Sequence, residues 1–331
     1  MSFIKKTFSW LILLLLVVSA AFAYWAFQPV LSAGSELKGG DFSIKAGSGV
    51  RSAARQIREG GVPMDPFMFE MLARLSGKAN KLKAGSFEFE ANETPIDLLT
   101  KIVNGEFSHA SLAIIEGWTF QQMRNLIDAH PGLKHDTAGL SGKELMGKIN
   151  PDYQMPEGLF FPDTYLFAKG SSDLQIFQQA HQSMLRHLDE AWKARNTSLP
   201  YKTAYEALTM ASIIEKETGR ASERSLIAAV FINRLKVGML LQTDPTVIYG
   251  MGEQYKGKIR KIDLLTDTPY NTYTRAGLPP TPIALPGIAS LSAAMNPEKS
   301  VSLYFVARGD GSSQFSDNLT EHNRAVNKYQ R

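Results

Sequence analysis

The sequence predicts an α+β protein in three parts: an N-terminal transmembrane helix, a small strand–helix repeat module, and an α+β domain that carries the chemistry. Three observations predict it. Residues 8–27 run without a charge. A strand-then-helix pattern recurs at an offset of 45 residues. A helix-length segment at 204–219, apolar with two glutamates near its end, is followed by long loops rich in proline, amides and tyrosine. A chain of 331 residues is long for one core and comfortable for two or three small domains. With 44% hydrophobic and 21% charged residues, most of it is expected to be globular.

The N-terminal element comes first. Twenty residues at about 1.5 Å each span about 30 Å, the hydrocarbon thickness of a bilayer. Lys5 and Lys6 precede the run, which puts residues 1–7 in the cytoplasm and everything after residue 27 outside. The rival is a cleaved signal peptide, because Ala21-Phe22-Ala23 is an A-x-A site. The apolar run continues past it through Tyr24, Trp25, Ala26 and Phe27, aromatics suited to a membrane interface, and this favours retention. Either way the remaining chain is exported. Without the two lysines, 34 basic residues face 32 acidic ones, too even a balance for a nucleic-acid binder. There is no cysteine, hence no disulfide framework and no thiol chemistry.

After a linker at 28–40, the repeat module is expected over 41–107. Phe42-Ser-Ile-Lys-Ala-Gly-Ser-Gly recurs as Phe87-Glu-Phe-Glu-Ala-Asn-Glu-Thr. The same offset matches Ala53 with Leu98, Ala54 with Leu99, Ile57 with Ile102 and Gly60 with Gly105. Each copy alternates apolar and polar residues as a strand does, turns on small residues, and continues at helical spacing. A looser third copy starts at Leu112. Units of this kind resemble LysM domains, which implies a glycan-binding module; a plain scaffold is the alternative.

Residues 108–197 read as a bridging region. Pro156-Glu-Gly-Leu-Phe-Phe-Pro-Asp-Thr-Tyr165 packs aromatics between turn formers, as a rigid loop does. Glu157 and Asp163 within it are candidate site residues, with capping or a turn hydrogen bond as the favoured role of each. The helix over Asp173–Lys193 carries His181 and His187, six apart and so on different faces. Both are expected at the surface, and no metal site is expected.

The catalytic domain is expected over 198–331. Its first helix is Ala204-Tyr-Glu-Ala-Leu-Thr-Met-Ala-Ser-Ile-Ile-Glu-Lys-Glu-Thr-Gly219, closed by the glycine. With Met210 at zero and about 100° per residue, Ile213, Ile214 and Glu217 fall at about −60°, +40° and −20°. Glu217 therefore lies within the apolar stripe, and Glu215, at about 140°, lies opposite, where a solvated carboxylate belongs. A carboxyl on an apolar face has its charged form disfavoured, which raises its pKa toward what a general acid requires. A second helix is expected from Ser222 to near Gly238. Then Gln242 and Asp244 flank a turn set by Pro245, and Asn271 and Tyr273 sit in Tyr270-Asn-Thr-Tyr273, ahead of the proline-stiffened loop Gly277-Leu-Pro-Pro-Thr-Pro-Ile-Ala-Leu-Pro-Gly287. Amides, a carboxylate and tyrosines on rigid loops suit a polyhydroxylated ligand.

These blocks carry a family resemblance. Ala211-Ser-Ile-Ile-Glu-Lys-Glu-Thr218, Val230-Phe-Ile-Asn-Arg-Leu235, Leu241-Gln-Thr-Asp-Pro-Thr-Val-Ile-Tyr-Gly250, Tyr270-Asn-Thr-Tyr273, Gly277-Leu-Pro-Pro280, Tyr304-Phe-Val-Ala307 and Glu321-His-Asn323 resemble the signature blocks of the endolytic murein transglycosylases of the MltG (YceG-like) family. The resemblance runs in order through the exported part. It implies that Glu217, the second glutamate of the Glu-Lys-Glu-Thr block, is catalytic, and it adds Asn323 to the candidate sugar-binding residues Gln242, Asp244, Asn271 and Tyr273. One departure is that Gly311-Ser-Ser-Gln-Phe315 lacks the histidine often found before the phenylalanine, so no role passes to that position.

The implied reaction cuts the bond between N-acetylmuramic acid and N-acetylglucosamine within peptidoglycan glycan strands, leaving a 1,6-anhydro end. One carboxyl suffices, acting as acid and then as base, and the reaction needs no metal or organic cofactor. The resemblance also implies coupling to peptidoglycan synthases in the same membrane. Three other classes compete. A binding scaffold would not need an acid on the apolar stripe, and a two-carboxylate muramidase would need a partner, for which Asp244 is the candidate. A protease would need a Ser/His/Asp or zinc signature that the sequence does not offer.

Overall fold

The computed structural model describes residues 2–31, 39–217 and 219–330. The chain divides into two compact units, Met1–Ala110 with Leu166–Ser171, and Ser111–Tyr165 with Ser172–Arg331.

The first unit contains α1 (Ser2–Ala26), β1 (Gly39–Ile44), α2 (Val50–Glu59), α3 (Pro66–Leu75), β2 (Gly85–Glu90) and α4 (Pro95–Asn104). Among the described residues, α1 is the one helix long and apolar enough to cross a membrane, over Lys6–Ala26. Its end does not run into a free linker. Ala26 and Leu31 are buried in the core of this unit, with Phe22, Trp25 and Val30 packed against it. The Val30 N–H donates to Glu93 O at 2.8 Å. The linker expected over 28–40 therefore begins inside a hydrophobic core, and 32–38 lie outside the described residues.

The repeat is visible as pairing. β1 and β2 form an antiparallel ladder in which Phe42 faces Phe87, the two residues the 45-residue offset equates. Their rings stack at 5.6 Å. Ala53, Ala54 and Ile57 of α2 and Leu98, Leu99 and Ile102 of α4 are buried against them. Thr94 and Asp97 close a capping box on α4, and Gly105 ends it in the left-handed conformation, φ 77°. Between the copies stands α3, which the repeat pattern does not predict. Its start is signalled by Asp65, whose side chain accepts the Met68 N–H, and by Pro66 in the first turn.

The rest of the chain forms β3 (His109–Ala113), α5 (Phe120–Asp128), β4 (Leu133–Lys134), α6 (Gly142–Ile149), β5 (Thr164–Ala168), β6 (Ser171–Ser172), α7 (Asp173–Lys193), α8 (Ala204–Glu217), α9 (Arg224–Lys236), α10 (Asp244–Met251), α11 (Lys261–Leu265), α12 (Ile288–Met295), β7 (Tyr304–Ala307), β8 (Ser313–Ser316) and α13 (Leu319–Tyr329). Most of the stretch expected as a bridge, 111–165 and 172–197, belongs to the same compact unit as residues 198–331.

The centre of this second unit is α8, packed by α7, α9, α10 and α12. All eight residues from 207 to 214 are buried, so this stretch of the helix has no solvent face. Its polar members are internally satisfied: Thr209 donates to Tyr205 O at 3.0 Å, and Ser212 donates to Thr209 O at 2.7 Å while accepting the Ile283 N–H at 3.0 Å. The histidines of α7 differ from their expected surface placement. His181 is buried, with Nδ1 2.9 Å from Leu159 O, and burial lowers its pKa. His187 is half-buried, its ring 4.2 Å from that of Phe161. The cause is the apolar run Leu159-Phe160-Phe161, which turns inward and packs on α7.

Candidate active site

Arg234, in the last turn of α9, ties together the segments that build the site. Its Nε donates to Leu303 O at 2.7 Å, and one terminal nitrogen donates to Leu241 O at 2.7 Å. The chain then enters Gln242, the one non-glycine residue with positive φ, 51°, among the described residues. Its N–H donates to Thr272 O at 3.1 Å. Thr243 follows, and α10 starts at Asp244. The turn expected at Pro245 is therefore the first turn of a helix, where proline fits because its missing N–H has no intrahelical partner to lose.

Glu217 closes α8 and is half-buried. The Thr243 hydroxyl donates a hydrogen bond to Oε1. Loss of water around the carboxyl raises its pKa; Thr243 opposes the shift, the Asp244 charge adds to it, and Arg234 opposes it. The net direction is upward, as expected from its place on an apolar face.

Glu217 opens on a groove of about 690 Å³. Gln242, Asp244, Tyr273 and Asn323 line the same groove, so four of the five residues expected to contact sugar converge with the expected acid. Tyr273 donates its hydroxyl to Asp244 Oδ1 at 2.6 Å. Tyr304 and His322 complete the wall, their rings stacked at 5.0 Å, with the Arg234 guanidinium 5.3 Å from the Tyr304 ring. Burial and the Arg234 charge lower the His322 pKa, which favours its neutral form.

Asn271 and Glu215 are placed otherwise than expected. Asn271 is buried away from the groove. Its Nδ2 donates to Leu264 O at 3.0 Å and Thr266 O at 2.7 Å, and its Oδ1 accepts the Tyr273 N–H at 2.9 Å. It braces the loop that presents Tyr273 and has no amide left for a sugar. Glu215 does not face water. Its side chain is 7% exposed and Oε1 lies 3.8 Å from Arg224, while Oε2 accepts the Gly287 N–H at 3.0 Å. The wheel takes the side opposite the apolar stripe as open to water, and at Glu215 that side is covered by Arg224 and Gly287.

Asp163 bonds its own turn, whereas Glu157 binds groups distant in the sequence. Glu157 Oε1 accepts the N–H of Phe120, the first residue of α5, at 2.9 Å, and Oε2 accepts the Tyr249 hydroxyl at 3.1 Å. Burial pushes the Glu157 carboxyl up to about 7 against these hydrogen bonds. Asp163 Oδ1 accepts the Thr164 N–H at 2.7 Å. Asp128, His135 and Asp173 bring donor atoms within 4.8 Å of one another. Both Asp173 oxygens already bond Thr137, and Asp128 already pairs with Arg124.

Thr243, Arg234, Tyr304 and His322 carry no individual signal in the sequence. All four stand inside motif blocks, but nothing in their spacing distinguishes a residue that orients the acid from its neighbours.

Fold and site together describe a protein with an N-terminal apolar helix and a groove built around a half-buried glutamate, lined with tyrosine, amide and carboxylate side chains. The YceG-like family model matches residues 42–328, and the chain belongs to that family. It is 31% identical over 306 residues to the endolytic murein transglycosylase of Bacillus subtilis strain 168, covering 87% of this chain and 84% of that one. It is 26% identical to the endolytic murein transglycosylase of Streptococcus pneumoniae D39, covering 97% of this chain and 65% of the other. The crystal structure of a YceG-like protein from Listeria monocytogenes superposes with a TM-score of 0.56 at 34% identity, over 87% of this chain and 98% of that one.

Proposed function

We propose that this chain is an endolytic lytic transglycosylase of peptidoglycan, with Glu217 as its acid and then its base. The observation that carries the reading is a half-buried carboxyl with a raised pKa, held by Thr243 at one oxygen and opening on a groove lined by Tyr273, Gln242 and Asn323. Protonated Glu217 gives its proton to the oxygen between N-acetylmuramic acid and N-acetylglucosamine, and that bond breaks. Positive charge develops at C1 of the muramic sugar, where the Asp244 carboxylate at the groove wall stabilises it. The Glu217 carboxylate then takes the proton from O6 of the same sugar, and O6 bonds to C1. Glu217 ends protonated, ready for the next cut.

Digestion of purified peptidoglycan in water enriched in oxygen-18 tests this. The expected main products end in unlabelled 1,6-anhydro-N-acetylmuramic acid, formed inside strands. A two-carboxylate hydrolase must instead place the label at C1. Labelled reducing ends as the main product would overturn the reading and give Asp244 the role of second carboxylate.

The anchor and the module complete the reading. α1 stays attached and holds the enzyme in the cytoplasmic membrane, with the catalytic unit outside. Packing of Phe22 against the core of the first unit supports retention, because cleavage after Ala23 would remove that contact. The β1-α2-α3-β2 order supports a LysM-like module. Its loops frame a cavity of about 610 Å³ bordered by Gly49, Arg51 and Asn80, wide enough for a sugar of the same strand. Membrane-bound peptidoglycan synthases, which make the strands being cut, are the proposed partners.

A further inference from the structure

Thr243 stands at the N-cap of α10, a position where a threonine hydroxyl ordinarily accepts a backbone N–H from the first turn. It makes no such bond. Its hydroxyl is turned to Glu217 instead. Two further features bear on the same point. Gln242, immediately before it, is held at φ 51°, a conformation that side chains with a Cβ adopt at a cost. Two further buried threonines, Thr246 and Thr272, then lock the backbone of Thr243. Its N–H donates to Thr272 Oγ1 at 3.1 Å, Thr272 and Thr246 share a hydrogen bond at 2.8 Å, and Thr246 donates to Thr243 O at 2.8 Å. Since the Thr246 proton goes to Thr243 O, the proton between the two hydroxyls comes from Thr272. The Thr272 hydroxyl also lies 3.5 Å from Thr243 O, so both neighbouring hydroxyls turn toward the Thr243 backbone or each other, and the Thr243 proton is left for Glu217.

We propose that Thr243 is a positioning residue for the reaction: its hydroxyl fixes Oε1 of Glu217, and the Thr246–Thr272 ring and the strained Gln242 fix Thr243, so that Oε2 is the oxygen that delivers and recovers the proton. This rests on the reading of Glu217 as acid and base. Oε2 has no hydrogen-bond partner among the described residues, while Oε1 has Thr243. A carboxyl with one oxygen held presents the other in a single orientation, and both half-reactions need that orientation. Thr243 can donate to Oε1 whether Glu217 is protonated at Oε2 or ionised, so the contact survives the whole cycle. A free carboxyl would have to reorient between protonating the bridging oxygen and accepting from O6. A capped helix start, an unstrained residue 242 and freely rotating threonine hydroxyls would all be easier to build. They are forgone together at the one place where the acid is reached.

The test compares Thr243→Val, Thr243→Ser and Glu217→Gln in the full-length protein, with kcat and KM measured on uncross-linked glycan strands across pH. Valine keeps the shape and the backbone bonds and removes the donor. Thr243→Val is expected to lower kcat by roughly ten- to a hundredfold with KM little changed. It also removes an interaction that favours ionised Glu217, so the alkaline limb of the kcat/KM profile, where the acid loses its proton, moves to higher pH. Thr243→Ser restores both the rate and the limb. If Thr243→Val keeps wild-type kcat and pH profile while Glu217→Gln is inactive, Thr243 has no positioning role and Glu217 keeps its own. If valine and serine lose activity alike, with a lowered Tm and an unmoved profile, Thr243 is structural and the inference is overturned. If Glu217→Gln remains active, the assignment of the acid falls and this inference with it.

Discussion

Glu215 Oε2 accepts the backbone N–H of Gly287 at 3.0 Å, and its Oε1 lies 3.8 Å from Arg224. Two residues further along α8, Glu217 points to the groove instead. The helix thus carries one carboxylate that ties the 285–287 segment to α8 and one that is free to react. Substituting each should have opposite effects. Glu215→Gln keeps an acceptor for Gly287 but abolishes the pairing with Arg224 in a buried setting. It should lower stability by about 1–3 kcal/mol and reduce activity chiefly as the fold loosens. Glu217→Gln removes a carboxyl whose ionised form is disfavoured by burial, so Tm should rise slightly while turnover falls by roughly 10²–10⁴-fold or more. Thermal unfolding and muropeptide release on the same preparations would check both. A wild-type Tm for Glu215→Gln would remove it from the structural role.

The membrane helix makes a different kind of prediction. Ala26 and Leu31 are buried with Phe22 and Trp25 packed nearby, so the end of α1 is part of the core of the first unit. N-terminal sequencing of protein recovered from membranes should find α1 intact. Trp25 is half-buried, so Trp25→Ala should lower the stability of that unit by less than the roughly 3–5 kcal/mol of a full core position. A mature protein beginning at Tyr24, with normal stability, would make α1 a signal sequence.

How much of this is readable from residues alone depends on the kind of signal. The repeat is fully legible, because Phe42 and Phe87 mark both the sequence offset and the ladder register. The α3 helix falls outside that pattern, and only the local signals of Asp65 and Pro66 announce it. Glu217 is legible because a carboxyl on an apolar face is anomalous wherever it occurs. The same wheel misplaces Glu215, since amphipathicity cannot be read from a helix whose 207–214 stretch is buried all round. Asn271 lies in the expected loop but braces backbone instead of binding sugar. Its amide is plain in the sequence, and only packing shows that the carbonyls of 264 and 266 already take its hydrogens. Thr243 is not legible at all, because its partner lies 26 residues away on another helix.

Glu157 offers a pH test independent of catalysis. Its carboxyl is buried and pushed up to about 7 from an ordinary value of 4.5. A carboxyl with a raised folded pKa is harmless below the unfolded value and opposes folding above it. Its contribution should therefore decline from about pH 4.5 to about pH 7 and then level off, a total of about 3 kcal/mol at roughly 1.4 kcal/mol per pH unit. Glu157→Gln, which can still accept the Phe120 N–H, should flatten that part of the stability–pH curve. Denaturant unfolding at several pH values would show it. A difference between variant and wild type that does not change over this window would mean that the carboxyl titrates normally.

Asp244 separates the two ways in which a second carboxylate can matter. It lines the groove with Glu217, holds the Tyr273 hydroxyl at 2.6 Å, and its charge raises the Glu217 pKa. In a transglycosylase its work is electrostatic. Asp244→Asn should then reduce kcat by about ten- to a hundredfold without changing the product, which remains the 1,6-anhydro end. Removing its negative charge lowers the Glu217 pKa, so the alkaline limb of kcat/KM should move to lower pH, the reverse of the shift expected for Thr243→Val. A nucleophile or a base for water behaves otherwise. Its loss abolishes turnover, and there is no residual profile to shift. The rate, the direction of the limb and the chemical form of the end group are three readouts of one variant. Complete loss of activity in Asp244→Asn, together with labelled reducing ends from the wild type in oxygen-18 water, would make the enzyme a muramidase.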